Sequence, residues 1–143
     1  MNVETILRGK GSAVATIRPD ETVGAAVKEL ISRNVGALVV SEDGETVDGI
    51  ISERDIVRLL DEKGATALGA PVAEVMTRKV VTCDRNETIG EIMERITTGR
   101  FRHVPVIEHG RLAGIVSIGD VVKARLSELE REQDALREYI RTA

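Results

Sequence analysis

The chain has 143 residues, a size that suits one compact domain or two small halves sharing a core, and its 42% hydrophobic content can fill that core. A net charge of -4 gives no basic footprint for a nucleic acid, and with Phe101 and Tyr139 as the only aromatic residues there is no base-stacking platform either. One cysteine, Cys83, excludes an internal disulfide; with no apolar run near the roughly 18 residues of a membrane span and no signal-peptide pattern in MNVETILRGKG, a cytoplasmic protein with no membrane partner is expected.

In chain order, MNVETILRG reads as a short helix ahead of the body. GKGS at Gly9 to Ser12 lacks the GxxxxGK[ST] spacing of a phosphate loop. Ala13 to Ile17 is a β-branched run that predicts a strand. Val23, Ala26, Val27, Leu30 and Ile31 then fall at i, i+3, i+4, i+7 and i+8, the stripe of a half-buried helix. Val35 to Ser41 predicts a strand, Asp43-Gly44 a turn, and a return strand ends at Ser52. A helix through Ile56, Val57, Leu59 and Leu60 follows. GATALGAPVAEVMTR, with Pro71 at a helix start, reads as a linker helix matching the leading one. The order then recurs: a strand over Lys79 to Cys83, a helix through Ile89, Ile92, Met93 and Ile96 with Gly99 as its stop, and a strand over His103 to Glu108. A turn at His109-Gly110 leads to a return strand ending at Ser117 and a helix through Val121, Val122 and Leu126.

The recurrence is an internal repeat. Thr22-Val23-Gly24 lies over Thr88-Ile89-Gly90, and Gly49 to Val57 lies over Gly114 to Val122. Neither copy has enough apolar surface to fold alone. The predicted class is therefore α+β, two pseudo-symmetric β-α-β-β-α units packed sheet to sheet, with an extended C-terminal helix. Residues 1–70 would form the first unit with its leading helix, 71–125 the second with the linker helix, and 126–143 a C-terminal amphipathic helix. In that last segment Val122, Leu126, Leu129, Gln133, Leu136 and Ile140 are spaced as an a/d seam. A helix over Asp120 to Arg141 would span about 33 Å, more than a unit of this size needs. The seam is expected to pair with a second chain, the alternative being that it folds back on its own domain.

Each return strand ends in the same phrase, GIISERD and GIVSIGD. A Ser before a helix with an acid three residues on is a capping box, which satisfies two free amide groups and suits the helix dipole. Capping does not require the Gly three residues before the Ser. A helix N-terminus also suits a phosphate, a Ser hydroxyl can donate to it, and an Asp one turn in can accept from vicinal ribose hydroxyls. Both uses are open to the same residues.

The doubled Gly-apolar-apolar-Ser-x-x-Asp after a hairpin, with RHVPVIEHGRLAGIVSIGD in the second copy, closely resembles tandem CBS domains, named for cystathionine β-synthase. Such pairs also occur in inosine monophosphate dehydrogenase and in the regulatory subunit of AMP-activated kinase. The resemblance runs from about Asn2 to Lys123 and implies a stand-alone pair with no catalytic domain attached. It further implies that the cleft between the units binds an adenosine-containing ligand: AMP, ADP, ATP, S-adenosylmethionine or NAD(H). Carried over, Asp55 and Asp120 would hold ribose hydroxyls and Ser52 and Ser117 would meet phosphate or ribose. The backbones of Gly36, Ala37 and Leu38 in one site and His103, Val104 and Pro105 in the other would line the adenine, with Thr16 and Thr82 at the ends of the first strands. Arg54 in the first copy and Arg102 in the second are cations without counterparts in the other copy, so the two sites are expected to differ.

His103 and His109 have no acid or cysteine cluster beside them in the sequence, so neither a metal site nor a catalytic triad is indicated. No nucleophile–base pair is visible, and no enzyme activity is expected. Two readings stand. The chain is a sensing module that binds adenosine nucleotides (AMP, ATP or NAD(H)), forms a homodimer and regulates an unidentified protein. Alternatively, it is a structural or interaction protein whose Ser-x-x-Asp corners only cap helices.

Overall fold

The computed structural model describes residues 1–142. After α1 (Val3–Lys10), the first unit runs β1 (Thr16–Ile17), α2 (Val23–Arg33), β2 (Ala37–Val40), β3 (Gly49–Ser52) and α3 (Glu53–Lys63). A 3-10 stretch (Gly64–Gly69) and α4 (Val72–Val75) lead into α5 (Ile89–Gly99), β4 (His103–Glu108), β5 (Arg111–Ser117) and α6 (Ile118–Thr142). β1 pairs parallel to β2 and β2 antiparallel to β3, while β4 and β5 form a separate antiparallel pair.

The second copy keeps the hairpin but loses most of its first strand. Only Cys83 bridges β4, giving its amide to Pro105 and accepting from the Ile107 amide. The second of these bonds reproduces the one that Ile17 accepts from Ser41 in the first copy; the bond that Ala15 accepts from Val39 has no counterpart, because Pro105 stands in the place of Val39 and has no amide hydrogen. The expected strand over Lys79 to Cys83 is otherwise absent, because residues 79–81 leave the sheet and border the space between the units.

Two apolar clusters form the core. One gathers Ile17, Val23, Ala26, Leu30, Leu38, Val40, Ile51, Ile56 and Val72; the other gathers Val3, Ile6, Leu7, Cys83, Ile89, Ile92, Ile96, Val104, Val106, Val116 and Val121. The helical stripes supply the inward faces, with one correction: Ile31 is 76% exposed. At about 100° per residue it lies some 80° round the helix from Val23, at the edge of the stripe, while Leu30 lies almost beneath it. β2 is buried at all four positions, so Ala37 and Val39 are covered on the face opposite the helices, as sheet-to-sheet packing requires.

The leading and linker helices are exchanged. Val72 of α4 packs in the first unit's core, whereas Val3, Ile6 and Leu7 of α1 pack in the second's. The backbone repeats the exchange: the Val72 amide donates to Glu21 at the start of α2, and the Val3 amide to Glu87 at the start of α5. The sequence grouping of α1 with residues 1–70 is therefore not how its side chains pack. α1 and α4 are pseudo-equivalent, and each closes the unit whose hairpin it reaches.

That exchange gives the repeated Gly its reason. A Cβ on Gly49 would meet Met76 Sδ at 2.5 Å and the Thr77 carbonyl at 2.9 Å; one on Gly114 would meet Leu7 Cδ2 at 2.8 Å. Each glycine lets the segment around its own incoming helix lie against the return strand.

Helix ends follow the same symmetry. Thr22 and Thr88 cap α2 and α5, each accepting from an amide three residues on. The caps at the other ends, Asn34 and Arg100, are both left-handed, with φ of 52° and 57°. Gly99, expected as the stop of α5, is instead its last helical residue, where its missing side chain makes room for the Phe101 ring. α6 is one continuous helix of 25 residues, about 37 Å long, so 126–143 is no separate element up to Thr142.

Candidate functional site

The strand-to-helix corners are built as the repeat implies. The Ser52 hydroxyl accepts from the Asp55 amide at 3.3 Å, and Asp55 Oδ2 accepts from the Ser52 amide at 3.0 Å and its hydroxyl at 2.9 Å. In the second copy the Ser117 hydroxyl accepts from the Asp120 amide at 3.1 Å and Asp120 Oδ2 from the Ser117 amide at 2.9 Å. Both are reciprocal caps, and they open α3 and α6. In the first copy Asp55 Oδ1 holds no hydrogen bond among the described residues.

The second corner carries one more partner. Lys10, the last residue of α1, donates from Nζ to Asp120 Oδ2 at 2.8 Å and to the Ile115 carbonyl at 3.0 Å. Burial pushes the Asp120 carboxyl up, but the bond from Lys10, the Ser117 amide and the Lys10 charge together outweigh it, and Asp120 titrates below the usual carboxylate range. Among the described residues no cation pairs with Asp55, whose side-chain bonds both run to Ser52. The two corners, alike in sequence, differ in charge environment because of α1.

Between the units lies a cleft of about 630 Å³. Of the residues expected at the first site, Gly36, Ser52, Arg54 and Asp55 line it; of those expected at the second, Arg102, His103 and Ser117 do. The others lie elsewhere. Ala37, Leu38 and Val104 are buried in β2 and β4, with Leu38 and Val104 in the two cores, and Pro105 is buried on β4. Thr16 pairs with Val39 on β1, and Thr82 is exposed with its carbonyl bound by Arg95. Asp120 is held by Lys10 and is not part of the cleft lining.

Along the wall of this cleft the units approach each other closely. A Cβ on Gly36 would come within 2.9 Å of Glu53 Oε1 and 3.4 Å of the His103 ring, so this glycine lies beneath a side chain from each unit. Burial holds the His103 imidazole below its ordinary pKa; the charges of Lys10 and Arg102 act in the same direction, and Glu53 and Asp120 oppose them. The imidazole is neutral at physiological pH and can both donate and accept a hydrogen bond.

The sequence reading missed Arg58, Lys79, Arg100, Phe101 and Thr77, all of which line the cleft. Arg58 is one turn beyond Arg54 on α3, which helical spacing could have revealed. Lys79 and Thr77 enter because the connection after α4 folds back over β3, where Thr77 and Ile50 exchange both backbone bonds. No local pattern announces that path.

Among the described residues no group of three or more His, Cys, Asp or Glu side chains could hold a metal ion, and no helix is long and apolar enough to cross a membrane. Cys83 is buried, and burial first, then the Glu87 charge, push its thiol up to about 12.

Comparison with known proteins matches the CBS domain family twice, over residues 11–62 and 72–127. The chain is 40% identical over 125 residues to the CBS domain-containing protein CBSX3, mitochondrial, of Arabidopsis thaliana, covering 85% of this chain and 61% of that protein's length. The crystal structure of the CBS-domain containing protein ATU1752 from Agrobacterium tumefaciens superposes with a TM-score of 0.84 at 49% identity, covering 87% of this chain and 99% of the other. A structure of CBSX2 in complex with AMP superposes with a TM-score of 0.73 at 25% identity, covering 87% of this chain and 96% of that one.

Proposed function

The chain belongs to the CBS domain family as a tandem pair, and from that premise we propose that it is a regulatory module holding an adenosine-containing nucleotide in the cleft between its two units. The observation that carries the reading is the convergence in one cleft of a Ser–Asp helix corner from the first unit with Ser117, Arg102 and His103 from the second. A ligand there would touch both halves and so report its presence as a change in how they are held together. AMP bound to the similar CBSX2 supports the same ligand class.

In this reading Asp55 Oδ1 accepts from the ribose hydroxyls while Oδ2 keeps the cap. The α3 N-terminus and Arg54 face the phosphate, and the neutral His103 offers a hydrogen bond from the second unit. Asp120, already paired with Lys10, is the weaker of the two ribose acceptors. The module performs no catalysis. It passes occupancy to a partner protein and works in the cytoplasm as a homodimer. Support for the dimer comes from α6, where Val122, Leu126, Leu129, Leu136 and Ile140 stand 44–65% exposed along one seam. Val57 and Val122, equivalent in the repeat, are both exposed as well. Sedimentation should give twice the monomer mass, and truncation after Lys123 should weaken the association.

The capping geometry favours the second reading, in which the corners serve only their helices. Melting of ligand-stripped protein separates the two. An adenosine nucleotide at about 100 times its dissociation constant adds roughly 2.7 kcal/mol to the folded state, several degrees for a chain of this size. A flat midpoint across AMP, ATP and NADH would leave the corners as caps.

A further inference from the structure

We infer that the cleft is specific for nucleotides carrying two or more phosphates, and that Arg58, Lys79 and Arg100, beside Arg54 and Arg102, set this preference; the inference rests on the nucleotide reading above. These five cations reach the cleft from three separate stretches: α3, the connection after α4, and the segment between α5 and β4. Among the described residues two carboxylates, Glu53 and Asp55, line the same space. A chain of net charge -4 therefore gathers a positive surplus in one concavity, where neighbouring protein walls focus the field.

The five are also alike in that none has a side-chain ion-pair partner among the described residues. Ten ion pairs among the described residues engage nine other Lys and Arg side chains and none of these. Like charges brought together without counter-ions repel one another, and an anionic ligand is what relieves that repulsion. One phosphate, with a charge of about -2, brings too little negative charge to balance what the five cations leave over the two carboxylates. A diphosphate or triphosphate chain offers enough, and the cleft volume of about 630 Å³ falls inside the ~300–1,000 Å³ usual for small-molecule sites.

Arg100 adds an independent observation. It occupies the left-handed cap of α5, the position that Asn34 fills in the first copy. Asn or Gly suits that conformation far better than Arg, so the local backbone gives no reason for Arg. Its place on the cleft wall does. Strain of this kind at a ligand site marks a residue kept for contact rather than for stability.

The test is calorimetric titration of the full chain, stripped of ligand, with adenosine, AMP, ADP, ATP and inorganic tripolyphosphate at one low salt concentration. The expected result is an affinity rising about tenfold or more from AMP to ATP, the size of one charge-assisted hydrogen bond. In the triple variant R58Q/K79Q/R100N that ratio should fall to about threefold or less, with the melting midpoint no lower than wild type because Asn relieves the left-handed cap. Adenosine compounds binding equally well whatever their phosphate number would overturn this inference and leave the nucleotide reading intact. Tripolyphosphate binding without any adenosine compound would remove the nucleotide reading and keep the polyphosphate site. Binding of neither overturns both, and a ratio unchanged in the triple variant removes the role given to these three side chains.

Discussion

Lys10→Met removes one ammonium and keeps the aliphatic stem, so it isolates the link between α1 and the second helix corner. Lys10 and Asp120 are 34% and 24% exposed, and Lys10 also binds the Ile115 carbonyl. Such a pair lies between an exposed bridge, worth about 0–1 kcal/mol, and a buried one whose breakage costs about 3–5 kcal/mol. A loss of about 1–2 kcal/mol is expected, which lowers the unliganded midpoint by roughly 3–8 °C. Ligand binding should move the other way. Asp120 does not line the cleft while Lys10 holds it, but it is bonded to Ser117, which does. Released, its carboxylate becomes free to turn there and accept from a ribose, so the nucleotide-induced rise in midpoint should be larger in the variant than in wild type. Asp120 would also titrate higher, since burial would then be opposed by the Ser117 bonds without Lys10. Differential scanning fluorimetry with and without ATP reads the first two effects, and a cycle with Asp120→Asn gives the coupling between the pair. An unliganded midpoint within about 1 °C of wild type would refute the pairing argument; an unchanged ATP response would refute the claim that Lys10 restrains the second corner.

Gly49→Ala should destabilise the fold by about 1–3 kcal/mol in denaturant melts, because the new methyl meets the Thr77 backbone carbonyl as well as the Met76 side chain. Stability should fall as pH drops below about 6.5, since the His103 pKa is depressed in the folded state and the unfolded chain takes up its proton first. A second decline should begin below about 3.8, where Asp120, also depressed, loses the bonds its charged form makes; His103→Gln should remove the first decline and leave the second. Cys83, with its thiol pushed up to about 12, should resist iodoacetamide at pH 8 in the native state and react at once in denaturant.

Where a pattern is local, the sequence carried it well. The helical stripes of α2 and α5 and the β4–β5 hairpin follow from side-chain periodicity and a His109-Gly110 turn whose two residues both have positive φ. The Ser–Asp corners were legible because capping chemistry is confined to four residues. What escaped the reading depends on distant segments. The exchange of α1 and α4 between units leaves no local mark, so neither the Lys10–Asp120 pair nor the reason for Gly114 could be read from spacing. Lys79 reads as part of a strand because its neighbours are β-branched, but only Cys83 finds a partner on β4 and the residues before it border the cleft. The site residues carried over from the family name backbone positions at Ala37, Leu38 and Val104 that packing buries, and omit cations that only the folded connection brings near.

The central claim is that an adenosine nucleotide sits between the units with its ribose on Asp55. Titrating ATP into ligand-stripped wild type and Asp55→Asn by calorimetry tests it most directly. The account predicts saturable binding to wild type and a roughly ten- to hundred-fold weakening in the variant, as expected for hydrogen bonds to a charged acceptor. The unliganded variant should melt within about 2 °C of wild type, because Ser52 remains the cap and the oxygen of the substituted side chain can still accept from the Ser52 amide. Absence of binding to wild type, or a variant that melts early yet binds ATP as tightly as wild type, would contradict the account and leave Asp55 as a helix cap.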